Sequence, residues 1–302
     1  MKKKSVLTRS LVFLSTGLIS ILLFQTATEP VPVPQTQPAA PAPPPPVSEM
    51  QEPQYLSGFY ADADVFFDDD VLYHNGYKVM RDEEFADVDG RVIPVSYIVL
   101  KKNRRTAATF KGPYFPLGND AKFGLFPFVG DKSEQLVVSL TVPRGGRHWV
   151  VSLQPKFHIL FDSGAWGVGQ EDVFVVDIDK DRVYEICLPV TAFYELQDKL
   201  SMSEIPLPQV IFKYDPKQKK YLPANHLFPD YALRHVTSSE SVSLSPTLHT
   251  LFDYIYAGRE KDGWMHFDER YRSPDKEEIK SRVNEVLKDE PVYQYLYRQP
   301  QR

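Results

Sequence analysis

Cysteine is almost missing from this chain: Cys187 is the one thiol in 302 residues. A single thiol excludes an intramolecular disulfide and any cysteine-based zinc site. Its place in the apolar run Ile186–Val190 predicts a buried strand thiol. Glycine is scarce too, with 15 residues. No G-x-S-x-G elbow, H-E-x-x-H pair or glycine-rich phosphate loop occurs. The seven histidines (His74, His148, His158, His226, His235, His249, His266) are scattered, and no two show metal-ligand spacing. They are expected to be surface or packing residues. A basic stripe is absent as well. Residues 1–46 carry four bases and one acid, a net +3, so the remainder carries -8 of the total -5. An acidic body argues against a nucleic-acid partner. It leaves cation binding or simple solubility open. The longest uncharged apolar stretch, Leu11–Phe24, has 14 residues. A spanning helix wants about 20.

What is present is enough apolar residue for a core: 42% hydrophobic and 13% aromatic. The N-terminus has a basic n-region, Lys2–Arg9, followed by that apolar stretch. Residues 1–28 are therefore expected to be a signal peptide or an uncleaved N-terminal anchor. No cysteine follows, which excludes lipoprotein processing. The folded part is expected outside the cytoplasm, in the periplasm, on the cell surface or secreted, as part of a bacterial envelope. It would touch the membrane only through the N-terminal segment. Nine prolines fall within Pro30–Pro46. Residues 29–54 thus read as an extended, proline-rich linker.

From residue 55 to 240 short runs rich in Val, Ile, Tyr and Phe alternate with turn clusters. The clearest are Ile93–Leu100, Gln135–Val142, His148–Leu153, Phe157–Phe161, Val173–Val176, Tyr184–Val190 and Gln209–Tyr214. The last forms a hairpin with Tyr221-Leu222 across Asp215–Lys219. No convincing helix separates strands before residue 190, so parallel βαβ units are not expected. Residues 241–302 change character. Ser245-Pro246 reads as a cap and first turn, and Leu248, Leu251, Phe252 and Ile255 recur at helical spacing. Gly258 ends that helix, a second spans about Glu260–Tyr271, and Ser273-Pro274 opens a third. This predicts a small helical C-terminal block. Tyr254–Pro274 resembles one tetratricopeptide hairpin and is read as an αα-hairpin.

A faint internal repeat runs through the β-rich part. Phe85–Gly90, Phe128–Glu134 and Val175–Asp181 are acidic bends, each leading into an apolar strand. In the third, Asp177, Asp179, Asp181 and Glu185 stand at positions 1, 3, 5 and 9. Odd spacing brings alternate side chains to one side of a turn. A hard cation such as Ca²⁺ wants six to eight oxygens. These carboxylates and the backbone carbonyl near Val183 would supply most of them. The same acids also suit turns in which side chains bond their own backbone. The pattern resembles the FG-GAP/VCBS type of β-propeller repeat, D-x-D-x-D-G-x-x-(D/E), over about residues 80–225. The resemblance implies a mainly β fold of antiparallel hairpin repeats, partial or propeller-like, and a structural Ca²⁺ at Asp177, Asp179, Asp181, Val183 and Glu185. The departures are plain. Arg182 stands where the pattern has glycine, and three copies fall short of the four blades a closed propeller needs.

Two further sites stand out. Ile159–Ala165 contains Asp162-Ser163-Gly164-Ala165, which resembles the aspartic-protease signature. That chemistry needs two carboxyls sharing a proton. The supporting glycine strand is missing: after Gly169 the next glycine is Gly258. Trp166, in the glycine-rich loop Gly164–Gly169, is either an exposed binding anchor or a packing residue. Trp149 and Trp264 are expected in the core. The resulting expectation is a non-catalytic binding or scaffold protein of the envelope, its partner an unidentified protein or envelope component. An extracytoplasmic hydrolase working at Asp162 is the alternative.

Overall fold

Branched and aromatic residues in runs of five to eight commit the largest share of the described residues to antiparallel strands. The computed structural model describes residues 54–56, 71–112, 119–130, 133–142, 145–234, 236 and 243–298. The expected signal or anchor and all of the linker but Gln54 lie outside the described residues. The described part is mainly β. A first sheet contains β2 (Val71–His74), β3 (Tyr77–Val88), β4 (Arg91–Lys102) and β5 (Arg105–Phe110). A second contains β6 (Asp120–Phe126), β7 (Gln135–Val142), β8 (Gly145–Ser152) and β9 (His158–Asp162). A third contains β10 (Phe174–Val176), β11 (Glu185–Pro189), β12 (Gln209–Asp215) and β13 (Lys220–Pro223), with the short β1 (Gln54–Tyr55) on its edge beside β10. Within each sheet β2 to β13 lie in chain order and every pair is antiparallel. Short turns explain this. Asp89 and Gly90, with φ 51° and 77°, close β3 onto β4 in the left-handed geometry that matches strand twist.

The second sheet sits between the other two. Its side chains alternate between faces. Leu136, Val138, Leu140, Trp149 and Val151 pack against Tyr77, Val79, Ile98, Leu100 and Phe110 of the first sheet. Val137, Val150, Leu160 and Phe161 point the other way and join Ile186, Leu188, Val210 and Phe212 of the third. Burial on both faces is why every residue from Gln135 to Leu140 is buried, Gln135 and Ser139 included. Each such aliphatic side chain contributes about 1.5–3 kcal/mol when fully buried.

Among the described residues five helices follow the β-rich part: α1 (Pro229–Ala232), α2 (Leu244–Tyr256), α3 (Glu260–Arg270), α4 (Lys276–Asp289) and α5 (Pro291–Tyr297). Four of them insert Leu248, Leu251, Phe252, Ile255, Phe267, Ile279, Val283, Leu287 and Val292 into the core shared by the second and third sheets. Phe193 stacks on Phe252 with ring centroids 3.8 Å apart. The helices are therefore continuous with the β core, within the unit Val47–Arg302. α2 and α3 form the expected hairpin around Gly258. Their approach is close: a Cβ on Gly263 would lie 2.8 Å from the Leu251 carbonyl oxygen.

Three details differ from the sequence reading. The first helix of the C-terminal block, α2, begins at Leu244 after Ser243, not at Ser245, whose hydroxyl donates to the Glu204 carbonyl at 2.7 Å. α5 was unforeseen; the Glu290 carboxylate caps it by accepting from the amides of Val292 and Tyr293. The first acidic bend is out of phase with the other two. It joins the second and third of the consecutive strands β2 to β5, whereas the bends before β7 and β11 join the first and second of the consecutive strands β6 to β9 and β10 to β13. Phe85–Val88 belong to β3, and the turn proper is Asp89-Gly90.

Candidate functional site

The third acidic bend is built by β10, which ends at Val176, and by β11, which starts at Glu185. Asp177 closes the loop: its carboxylate accepts from the amides of Asp181 and Arg182, both at 3.0 Å. Asp181 accepts from the Val183 amide at 2.8 Å, and Glu185 from the Ile178 amide at 2.9 Å. Arg182 adopts φ 67°, the left-handed conformation that the missing glycine would take without strain.

The centre of the loop is held by a residue that the sequence reading did not include. Lys213 Nζ donates to Asp179 at 2.7 Å, to Glu185 at 2.9 Å and to Asp181 at 3.2 Å. The reason is register. Ile186 pairs with Phe212, so one step further along the ladder Lys213 faces Glu185. The Phe228 ring lies 5.5 Å from the ammonium. Glu185 is fully buried, and burial pushes its carboxyl above the ordinary range against the pull of Ile178 and Lys213. Burial also opposes the Lys213 ammonium, but its hydrogen bonds to Asp179, Glu185 and Asp181 outweigh it and hold the ammonium above its ordinary value. The geometry favours pairing, because three carboxylate oxygens converge on one nitrogen.

This arrangement bears directly on the expected metal. Asp177, Asp179 and Glu185 each present an oxygen within 4.8 Å of the others, close enough to share a cation. Yet both Asp177 oxygens accept amides, and the oxygens of Asp179, Asp181 and Glu185 that face inward are bonded to Lys213. As arranged, the donor set does not fit a calcium ion. The ammonium takes the place a divalent ion would need.

Asp162 ends β9 and caps the 3-10 turn Ser163–Trp166, accepting from the Gly164 amide at 3.0 Å. Arg147 grips it with two bonds, Nε at 3.1 Å and Nη2 at 2.9 Å, while its guanidinium lies 4.7 Å from the Trp149 ring centre. Ser163 accepts from the His148 amide at 2.9 Å. The partners of Asp162 are thus a cation and an amide, not a second carboxyl. Trp166 is half-buried and packs on Phe212 and Tyr295, with ring centroids at 5.9 and 5.5 Å. Trp149 is buried, and Trp264 packs at the edge of the core. Cys187 is buried as expected, and burial pushes its thiol up to about 12.

His148 is the histidine whose place matters most. It is fully buried, with Nδ1 2.9 Å from Ser139 Oγ and Nε2 2.7 Å from the Gln170 carbonyl oxygen. Burial drives its pKa down to about 4, so the ring is neutral at pH 7. Beside it opens a cleft of about 810 Å³. Six of the 15 glycines line it (Gly112, Gly145, Gly146, Gly164, Gly167, Gly169), along with Leu140, Val142, Val168 and Met202. Gly146 and Gly169 are required by a close backbone crossing: a Cβ on Gly169 would lie 2.4 Å from the Gly146 carbonyl oxygen. The clustering of glycines at 145–146 and 164–169 was the sequence signal for this cleft.

The chain matches no family model, and comparisons with curated proteins and with solved structures give no significant match.

Proposed function

We propose that this chain is an exported, non-catalytic binding or scaffold protein of a bacterial envelope, built from propeller-like hairpin sheets. One observation carries the reading: the acids singled out for chemistry are used to hold turns. Asp162 is clamped by Arg147, and the Asp177–Glu185 loop closes on Lys213. Three up-and-down sheets stacked in chain order support the repeat reading. The glycine-lined cleft supplies an open, largely apolar surface for an extended segment of a partner. In this reading recognition works by surface complementarity, and Lys213 stiffens the loop in place of Ca²⁺.

Three measurements test it. A reporter enzyme active only outside the cytoplasm, fused after residue 54, should be active, and deleting residues 2–24 should silence it. Ca²⁺ should leave the melting temperature of the parent protein unchanged. A rise that is lost in Asp179→Ala would restore the metal as the stiffening element. Hydrolysis of a protein substrate that disappears in Asp162→Asn would replace the scaffold reading with the hydrolase one.

A further inference from the structure

The first sheet carries opposite charge at its two ends. Residues 81–91, where β3 and β4 run on beyond β2 and β5, hold five acids (Asp82, Glu83, Glu84, Asp87, Asp89) and two bases (Arg81, Arg91). Residues 71–80 and 99–110, at the other end, hold Lys78, Lys101, Lys102, Arg104 and Arg105 and no acid. At about 3.4 Å per residue, the 12-residue β3 separates the two ends by about 35–40 Å.

Each end also has an apolar feature. At the acidic end Phe85 is 80% exposed and Val92 71%. Phe85 pairs with Pro94 and Asp87 with Val92, so these side chains share one face. At the basic end an open cavity of about 660 Å³ is lined by Tyr73, Tyr77, Lys78, Lys101 and Arg104, among others. Tyr73 is 73% exposed there. Lys78 lies over its ring at 5.9 Å, and Lys102 lies over Tyr77 at 4.4 Å.

From this we infer that the chain binds a second copy of itself head to tail, the acidic Phe85–Val92 ribbon of one copy entering the basic Tyr73–Arg104 cavity of the next. The occupant is a second copy because one chain carries both complementary surfaces, the protruding aromatic and the aromatic-lined cavity. Contacts between two different patches are heterologous, so they propagate into a ring or a filament. The inference is independent of the glycine-lined cleft and of the export reading.

The test is sedimentation of the purified full-length chain over a wide range of concentration. Self-association should grow with concentration. Raising ionic strength from about 0.1 to 1 M, which shortens the screening length from about 10 to 3 Å, should weaken it by about tenfold or more. Phe85→Asp should abolish it, and so should the double variant Lys101→Glu/Arg104→Glu. Both changes are on the surface, and circular dichroism should show the parent fold in each. Mixing the two variants should restore association but stop it at dimers, because each retains one working end. A parent that stays monomeric overturns the inference. So does a mixture that remains monomeric, which would mean a symmetric contact. Association that survives both variants overturns it too. Binding of anionic lipid vesicles at the basic end, by a parent that does not self-associate, would assign that end to a membrane instead.

Discussion

Replacing Lys213 by Met keeps the aliphatic bulk and removes the charge that holds the acidic bend. Its three partners differ in exposure: Glu185 is at 0%, Asp179 at 39% and Asp181 at 43%. Deleting one side of a buried pair costs about 3–5 kcal/mol, while each exposed pair contributes at most about 1 kcal/mol. Lys213 itself retains 23% exposure, so water reaches the pair and the low end applies. The expected loss is about 3 kcal/mol. For a body of this size that lowers the melting temperature by about 6–12 °C. The loss should depend on pH. In the variant, Glu185 is buried without a counter-charge, so its folded pKa lies above the unfolded value. Stability is then highest below the unfolded carboxylate range and falls as pH rises through the folded value. The gap between parent and variant should narrow as pH drops toward about 4. Adding Glu185→Gln to Lys213→Met should recover much of the loss by removing the stranded charge. Urea melts of all three proteins at several pH values measure this. A Lys213→Met protein as stable as the parent at pH 7, or a gap independent of pH, refutes the assignment of Lys213 as the internal cation.

Other expectations concern the rest of the core. His148, with its folded pKa depressed to about 4, gives stability that is complete above the unfolded value and is lost as pH falls toward 4. Between about pH 6.5 and 4 the loss is about 3 kcal/mol, and His148→Gln should flatten that slope in chemical melts. Gly169→Ala places a methyl against the Gly146 carbonyl oxygen. It should cost about 1–3 kcal/mol, read as a fall in melting temperature, and an unchanged melt would show that the crossing is looser than described. Glu290→Ala removes the α5 cap and the Tyr256 hydroxyl's partner at 2.9 Å. A loss of about 1–3 kcal/mol is expected, with faster amide exchange confined first to α5.

Much of the fold was legible because the second and third sheets are buried on both faces, which writes strands as long apolar runs. Gln135–Val142 coincides with β7 for that reason. β3 was missed as a full strand because its outer half, Arg81–Asp87, has polar or exposed residues on both faces and leaves no alternation to read. The short α5 was missed because its start depends on a Glu cap instead of Ser, Thr, Asp or Asn. At the acidic bend the carboxylates were legible from their spacing, but their cation was not. Lys213 is 28 residues from Glu185 in sequence, and only the pairing of β11 with β12 makes them neighbours. The lone charge within Gln209–Tyr214 was the available sign.

The two cores are completed at different points along the chain. The one between the first two sheets draws its buried members from residues 77–153. The one between the second and third also needs Phe252, Phe267, Ile279, Val283 and Val292. A polypeptide emerging N-terminus first can close the former early but must leave the latter open until its last helices are out. During that interval the exposed faces of Val150, Phe161, Ile186 and Phe212 are what a chaperone would have to shield.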